Sequence, residues 1–254
     1  MSATCHRCGA VDPSGSESHS ERIPFRGIRV YCSKCHTKFE ERFILGTLAI
    51  NVGGALIGLV NLQENPSSTV GHLLVNLFLI QLIILPSIVV HEFAHAIVGR
   101  LAGLTVLKIW IGRGKTLFRA NLFGFDTEFK MIPVGGFTFL THGLTEKLRF
   151  RYFLAILAGP ASNAIILWIA CRFVAWRDIN IETSVQFGAI IVLAQGFSLV
   201  ENLFPFRVQT ALGSVCTDGL SLFQLLSSRS PDVLRPRLSI HVVQTAGGTN
   251  TWTT

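Results

Sequence analysis

Four long stretches of the chain contain no Asp, Glu, Lys or Arg: residues 43–63, 65–91, 152–171 and 183–200. An apolar run of about 18 residues or more is long enough to cross a bilayer as a helix, so the pattern predicts four transmembrane helices. The first covers 43–62, with Gly53, Gly54 and Gly58 offering a neighbouring helix close approach. The second runs from His72 to about Ala102, with Pro86 as the expected kink. The third covers 152–176 and the fourth 185–204. Between the second and third the period changes. Residues 106–111 alternate, Gly112-Arg113-Gly114-Lys115 reads as a turn, and 116–125 reads as another strand. Residues 103–150 are therefore expected to form a small β-rich insert, cytoplasmic or re-entrant. A short helix is expected at 220–226, and 230–254 reads as a weakly ordered tail.

Composition agrees with a polytopic α-helical membrane protein. Charged residues make up 15% of the 254, against about 25% in ordinary soluble domains. Apolar residues make up 49% and the mean hydropathy is +0.48. A soluble globular domain and a disordered chain are both excluded. The net charge of +7 would suit nucleic acid, but its distribution points elsewhere. Seven Lys/Arg precede residue 43, none lies in 64–71, nine lie in 100–151, two lie between the third and fourth stretches, and four follow. That alternation places the N- and C-termini in the cytoplasm and makes the charge a topology signal. No nucleic-acid partner is expected. The first apolar stretch follows 42 mostly polar residues and lacks a small-residue cleavage site, so it does not read as a cleaved signal peptide.

Four of the six cysteines form two CxxC pairs, Cys5/Cys8 and Cys32/Cys35. Paired CxxC turns present four thiolates to a tetrahedral zinc ion. The intervening Ser/Gly-rich segment passes into strand-like Ile28-Arg29-Val30-Tyr31, the pattern of a zinc ribbon. Disulfides are the competing reading, and a cytoplasmic segment disfavours them. Cys171 and Cys216 read as plain thiols.

The second stretch contains His91-Glu92-Phe93-Ala94-His95, an HExxH motif. On a helix the two imidazoles lie one turn apart on one face, about 6 Å along the axis, and can bind one zinc ion. Glu92 is offset: poorly placed as a ligand, but able to take a proton from a water on that zinc, whose pKa the metal lowers toward ~7. Ionisable groups within a bilayer are costly and functional by default. Counting back from Arg100 puts His91 about 14 Å deep, so water and substrate must enter from the cytoplasmic side. A third protein ligand is needed. His72 is about 28 Å away along the same helix and is excluded. His142, Glu201 and Asp218 remain, and spacing alone does not choose between the last two.

The motifs resemble those of the site-2 proteases, zinc metalloproteases that cut within the membrane. HEFAH in an apolar helix is one mark. Ala158-Gly159-Pro160-Ala161-Ser162-Asn163 is similar to the family's GPxxN, and Asn202-Leu203-Phe204-Pro205 followed by Asp218-Gly219 is similar to its NxxP…DG. The resemblance covers residues 72–226. It implies His91, His95 and Asp218 as metal ligands, Glu92 as the base, and Asn202 and Asn163 as supports for the site or for the oxyanion. Residues 132–137 resemble the family's re-entrant region, which presents extended substrate. One departure is the long spacing from Pro205 to Asp218, with 206–217 inserted between them.

The expected organisation is a ribbon-like module at 1–38, a first helix and outer loop at 39–71, a catalytic core at 72–226 with its insert at 103–150, and a tail at 227–254. Two zinc ions are expected, one catalytic and one structural. The expected partners are the bilayer, a membrane-anchored protein substrate and a regulatory partner at the ribbon. An exposed strand edge in 103–140 would capture substrate by strand addition. A membrane zinc carrier would spread intramembrane His and acidic residues along a path, and here they concentrate at one depth. A non-catalytic adaptor would have lost Glu92 or a ligand, and both are present.

Overall fold

The computed structural model describes residues 3–12, 18–23, 27–142, 146–174, 184–210 and 213–227. In chain order these form β1 (Ala3–Thr4), β2 (Val11–Asp12), β3 (Ser18–Ile23), β4 (Gly27–Cys32), α1 (Ser33–Glu64), α2 (Thr69–Leu101), β5 (Leu104–Leu122), β6 (Phe125–His142), α3 (Leu148–Phe173), α4 (Phe187–Leu203), β7 (Arg207–Thr210), β8 (Gly213–Cys216) and α5 (Asp218–Ser227). The expected tail from residue 228 onward lies outside the described residues.

Among the described residues, three helices have segments long and apolar enough to cross a membrane: Leu45–Glu64, Thr69–Leu101 and Leu148–Phe173. The expected fourth span is a shorter apolar helix of 17 residues, about 26 Å long against the roughly 30 Å of a bilayer core. Its end has a local cause. Pro205 disfavours the helical conformation at the residue before it, and Phe204 is extended at ψ 126. Conversely, α1 starts well before the apolar run, because Lys34, Lys38, Glu40, Glu41 and Arg42 are good helix formers. Large side chains such as Ile50, Ile57, Trp168 and Phe187 point outward, as lipid-facing helices require.

Helix α2 is central and touches α1, α3, α4 and both long strands. Pro86 lies inside it without ending it. Gly58 and Gly71 bring α1 and α2 together: a Cβ on Gly58 would lie 3.0 Å from the Gly71 carbonyl, whereas Gly53 faces open space. Ser87 of α2 donates to Gln195 of α4 at 3.0 Å, both buried.

The insert is one sheet of two long, curled strands. Ile109, Trp110 and Ile111 pair with Thr138, Phe137 and Gly136 and also with Thr127, Glu128 and Phe129. Gly112 (φ 91) and Gly114 (φ 81) make the predicted turn as a bend within β5. Phe93 and Ala96 of α2 pack on Ile109, Ile111 and Phe125, fixing the sheet against the helix that carries the HExxH motif. On the sheet, Glu128 is buried beside Lys108 (3.1 Å) and Arg119 (2.8 Å). Burial works to raise its pKa, but the Lys108 hydrogen bond and charge, with the Arg119 charge, hold it below the ordinary carboxylate value.

Candidate metal centre and its surroundings

The ligand face of α2 is set by helical periodicity. His91 and His95 are one turn apart, buried, with ring centroids 4.6 Å apart. Their Nε2 atoms lie 3.0 Å from each other. Asp218 Oδ2 lies 3.0 Å from His91 Nε2 and 3.2 Å from His95 Nε2. The three donor atoms form a near-equilateral triangle. With bonds of about 2.0 Å, a tetrahedral zinc ion separates its ligand atoms by about 3.3 Å, so the donor set fits the metal that the motif implies. His95 Nδ1 donates to the Ala155 carbonyl at 2.7 Å. This leaves the Nε2 lone pair for a metal, the outer-shell arrangement of ligating histidines.

Helices α2 and α3 run antiparallel through this region. Gly99 faces Ala155, and Gly159 faces the two histidines: a Cβ on Gly159 would lie 2.6 Å from His91 Nε2 and closer still to His95. The Gly159-Pro160 step therefore leaves the space in which the ligand rings sit. Asn163, one turn further along α3, is 1% exposed, and among the described residues neither its Oδ1 nor the buried His91 Nδ1 has a hydrogen-bond partner.

Asp218 reaches the site through the inserted residues. Strands β7 and β8 pair from Arg207–Cys216 to Thr210–Gly213, so the insertion folds back on itself as a hairpin. Thr217 closes it: its N–H donates to the Phe206 carbonyl at 3.1 Å and its hydroxyl to the Phe204 carbonyl at 2.7 Å. The long Pro205–Asp218 spacing thus returns the chain to the end of α4. Gly219 lies so close to the Leu203 carbonyl that a Cβ would clash with it. Arg149 Nη2 donates to the Leu225 carbonyl at 2.8 Å, tying the far end of α5 to α3.

The other expected residues are distributed unevenly. Glu92 is 6% exposed, beside the ligands. Glu201 is exposed on α4 and is not part of the ligand cluster. Asn202 is half-buried and its Nδ2 donates to Ser198 of its own helix at 2.9 Å. His142 ends β6, opposite Leu104. Two residues of β6, Gly136 within the 132–137 run and Thr138, which the sequence did not single out, meet Glu92. Gly136 leaves room for it, since a Cβ there would lie 2.7 Å from Oε1. Thr138 Oγ1 lies 2.7 Å from Glu92 Oε2 and 2.9 Å from the Glu92 carbonyl. Thr138 carries no sequence signal, because a Thr in a strand is ordinary.

At the N-terminus Cys5, Cys8, Cys32 and Cys35 bring their sulfur atoms within 4.8 Å of one another, as free thiols. Cys8 and Cys32 Sγ are 3.7 Å apart, against about 3.8 Å expected for thiolates on one tetrahedral zinc. The first pair lies on a turn in which Gly9 (φ 72) donates to the Cys5 carbonyl. The second pair is not on a free turn: Cys32 is the N-cap of α1 and Cys35 lies in its first turn.

Residues 77–237 match Peptidase family M50, and the chain belongs to that family, the site-2 proteases that its motifs resemble. Among curated proteins, the chain is 31% identical over 111 residues to zinc metalloprotease Rip1 of Mycolicibacterium smegmatis, a match that covers 36% of this chain and 27% of that protein. The match thus spans about a quarter of the relative's length.

Proposed function

We propose that this protein is an intramembrane zinc metalloprotease that hydrolyses peptide bonds of membrane-anchored protein substrates. The observation that carries the reading is the convergence of His91 Nε2, His95 Nε2 and Asp218 Oδ2 within hydrogen-bond distance, with Glu92 beside them in a helix apolar enough to span a bilayer. His91, His95 and Asp218 hold the metal. When bound, zinc supplies the Lewis acidity that makes water a nucleophile near neutral pH. Glu92 would take the proton of the attacking water and give one to the leaving amine. Asn163, whose buried amide oxygen has no partner among the described residues, supports the site from α3, one turn on from Gly159. Asn202 supports it from the end of α4.

A helical substrate shields its own carbonyls, so the scissile segment must be extended to react. The strand bearing Gly136 and Thr138 lies against Glu92 and is the place for an extended segment to pair, by strand addition. Helix α4 is the fourth, short span, both termini are cytoplasmic, and water reaches the site from that side. The four N-terminal thiolates hold a second, structural zinc and present a surface for a regulatory partner.

The test is zinc-dependent cleavage of membrane-anchored substrates by the parent and by Glu92→Gln. The variant should keep its intramembrane zinc and lose activity by about 10²–10⁴-fold or more. Robust turnover by Glu92→Gln would reject the hydrolytic mechanism.

A further inference from the structure

We propose that Thr138 is the positioning residue for the base: its hydroxyl holds the Glu92 carboxylate toward the metal ligands. The inference rests on the hydrolytic reading above and adds a residue to it. Side chains alternate along a strand, and β6 uses both faces. Phe137 and Phe139 pack on each other with ring centroids 4.7 Å apart, and Phe139 packs on Trp110 at 4.6 Å. Gly136 and Thr138 take the other face and both meet Glu92. The aromatic face and the pairing of Thr138 with the fully buried Ile109 fix the backbone beneath the hydroxyl.

A Glu side chain has three rotatable bonds, and holding it in one rotamer has an entropic cost that a bond must offset. Thr is stiff at χ1, so a hydroxyl on this strand is a rigid anchor. It has one proton and two acceptors, Glu92 Oε2 at 2.7 Å and the Glu92 main-chain carbonyl at 2.9 Å. The second contact clips strand to helix; the first orients the reacting group. A purely structural Thr138 would need only the second.

The experiment compares zinc-loaded full-length parent, Thr138→Val and Thr138→Ser. The infrared carboxyl band of Glu92, identified as the band removed by Glu92→Gln, should shift in Thr138→Val and return to the parent position in Thr138→Ser. In cleavage assays Thr138→Val should lower kcat by about 10²-fold, the effect of misplacing a reacting group, with KM and zinc content held, and Thr138→Ser should recover most of it. If Thr138→Val does not fold, Thr138→Ala carries the same expectations. An unmoved band, or a raised KM with unchanged kcat, overturns the proposal. A band that shifts in a protein that cleaves nothing sinks the hydrolytic reading while leaving Thr138 as the residue that holds Glu92.

Discussion

Gly159 shows how much of the site depends on what a residue lacks. The HExxH spacing made His91 and His95 readable from the sequence, because helical periodicity alone puts them on one face. Gly159 was visible only as part of the GPxxN-like motif, which does not say what its missing side chain leaves open. Only the antiparallel approach of α3 to α2 shows that its missing side chain is the space occupied by the imidazoles. Gly159→Ala would place a methyl group against both Nε2 atoms. Overpacking of this kind costs about 1–3 kcal/mol, and here the groups forced to move are the imidazoles of the candidate metal centre. Metal analysis of purified Gly159→Ala should show one zinc ion fewer than the parent; two retained ions would contradict the placement. Thr138 was not readable at all, since its role depends on a strand register that nothing in the local sequence announces.

At the scale of elements, the long helices were legible as sustained charge-free apolar runs and the β-rich insert as a change to strand-like alternation. Boundaries were less so. Helix α1 begins at Ser33 rather than within the apolar run, because charged helix formers extend it into the cysteine module. Helix α4 stops short because Pro205 follows Phe204. The insertion before Asp218 was visible only as extra length, and its closure into a hairpin explains how the carboxylate still returns to the histidines. The shared Cys32–Cys35 step couples the cysteine cluster to the start of α1. Replacing Cys5, Cys8, Cys32 and Cys35 together by Ser should lower the bound zinc by one ion and leave the intramembrane site loaded, as read by metal analysis and by retained cleavage. An unchanged zinc content would reject the ribbon site.

For the molecule as a whole, one central helix carries His91, Glu92 and His95, with α3, α4, α5 and the sheet arranged around it. The choice of a third candidate ligand was open in the sequence, because Glu201 and Asp218 are both acidic and both follow the fourth apolar stretch. The fold separates them: Glu201 is exposed, and Asp218 lies 3.0 Å from His91 Nε2. The closure of the β7–β8 hairpin by Thr217 and the approach of Gly219 to Leu203 hold that arrangement. Zinc content and cleavage measured side by side in Asp218→Asn and Glu201→Gln test the account most directly. Asp218→Asn should lose the intramembrane zinc and stop cleavage, while Glu201→Gln keeps the zinc and at least part of the activity. Retention of that zinc in Asp218→Asn, with its loss in Glu201→Gln, would contradict the account.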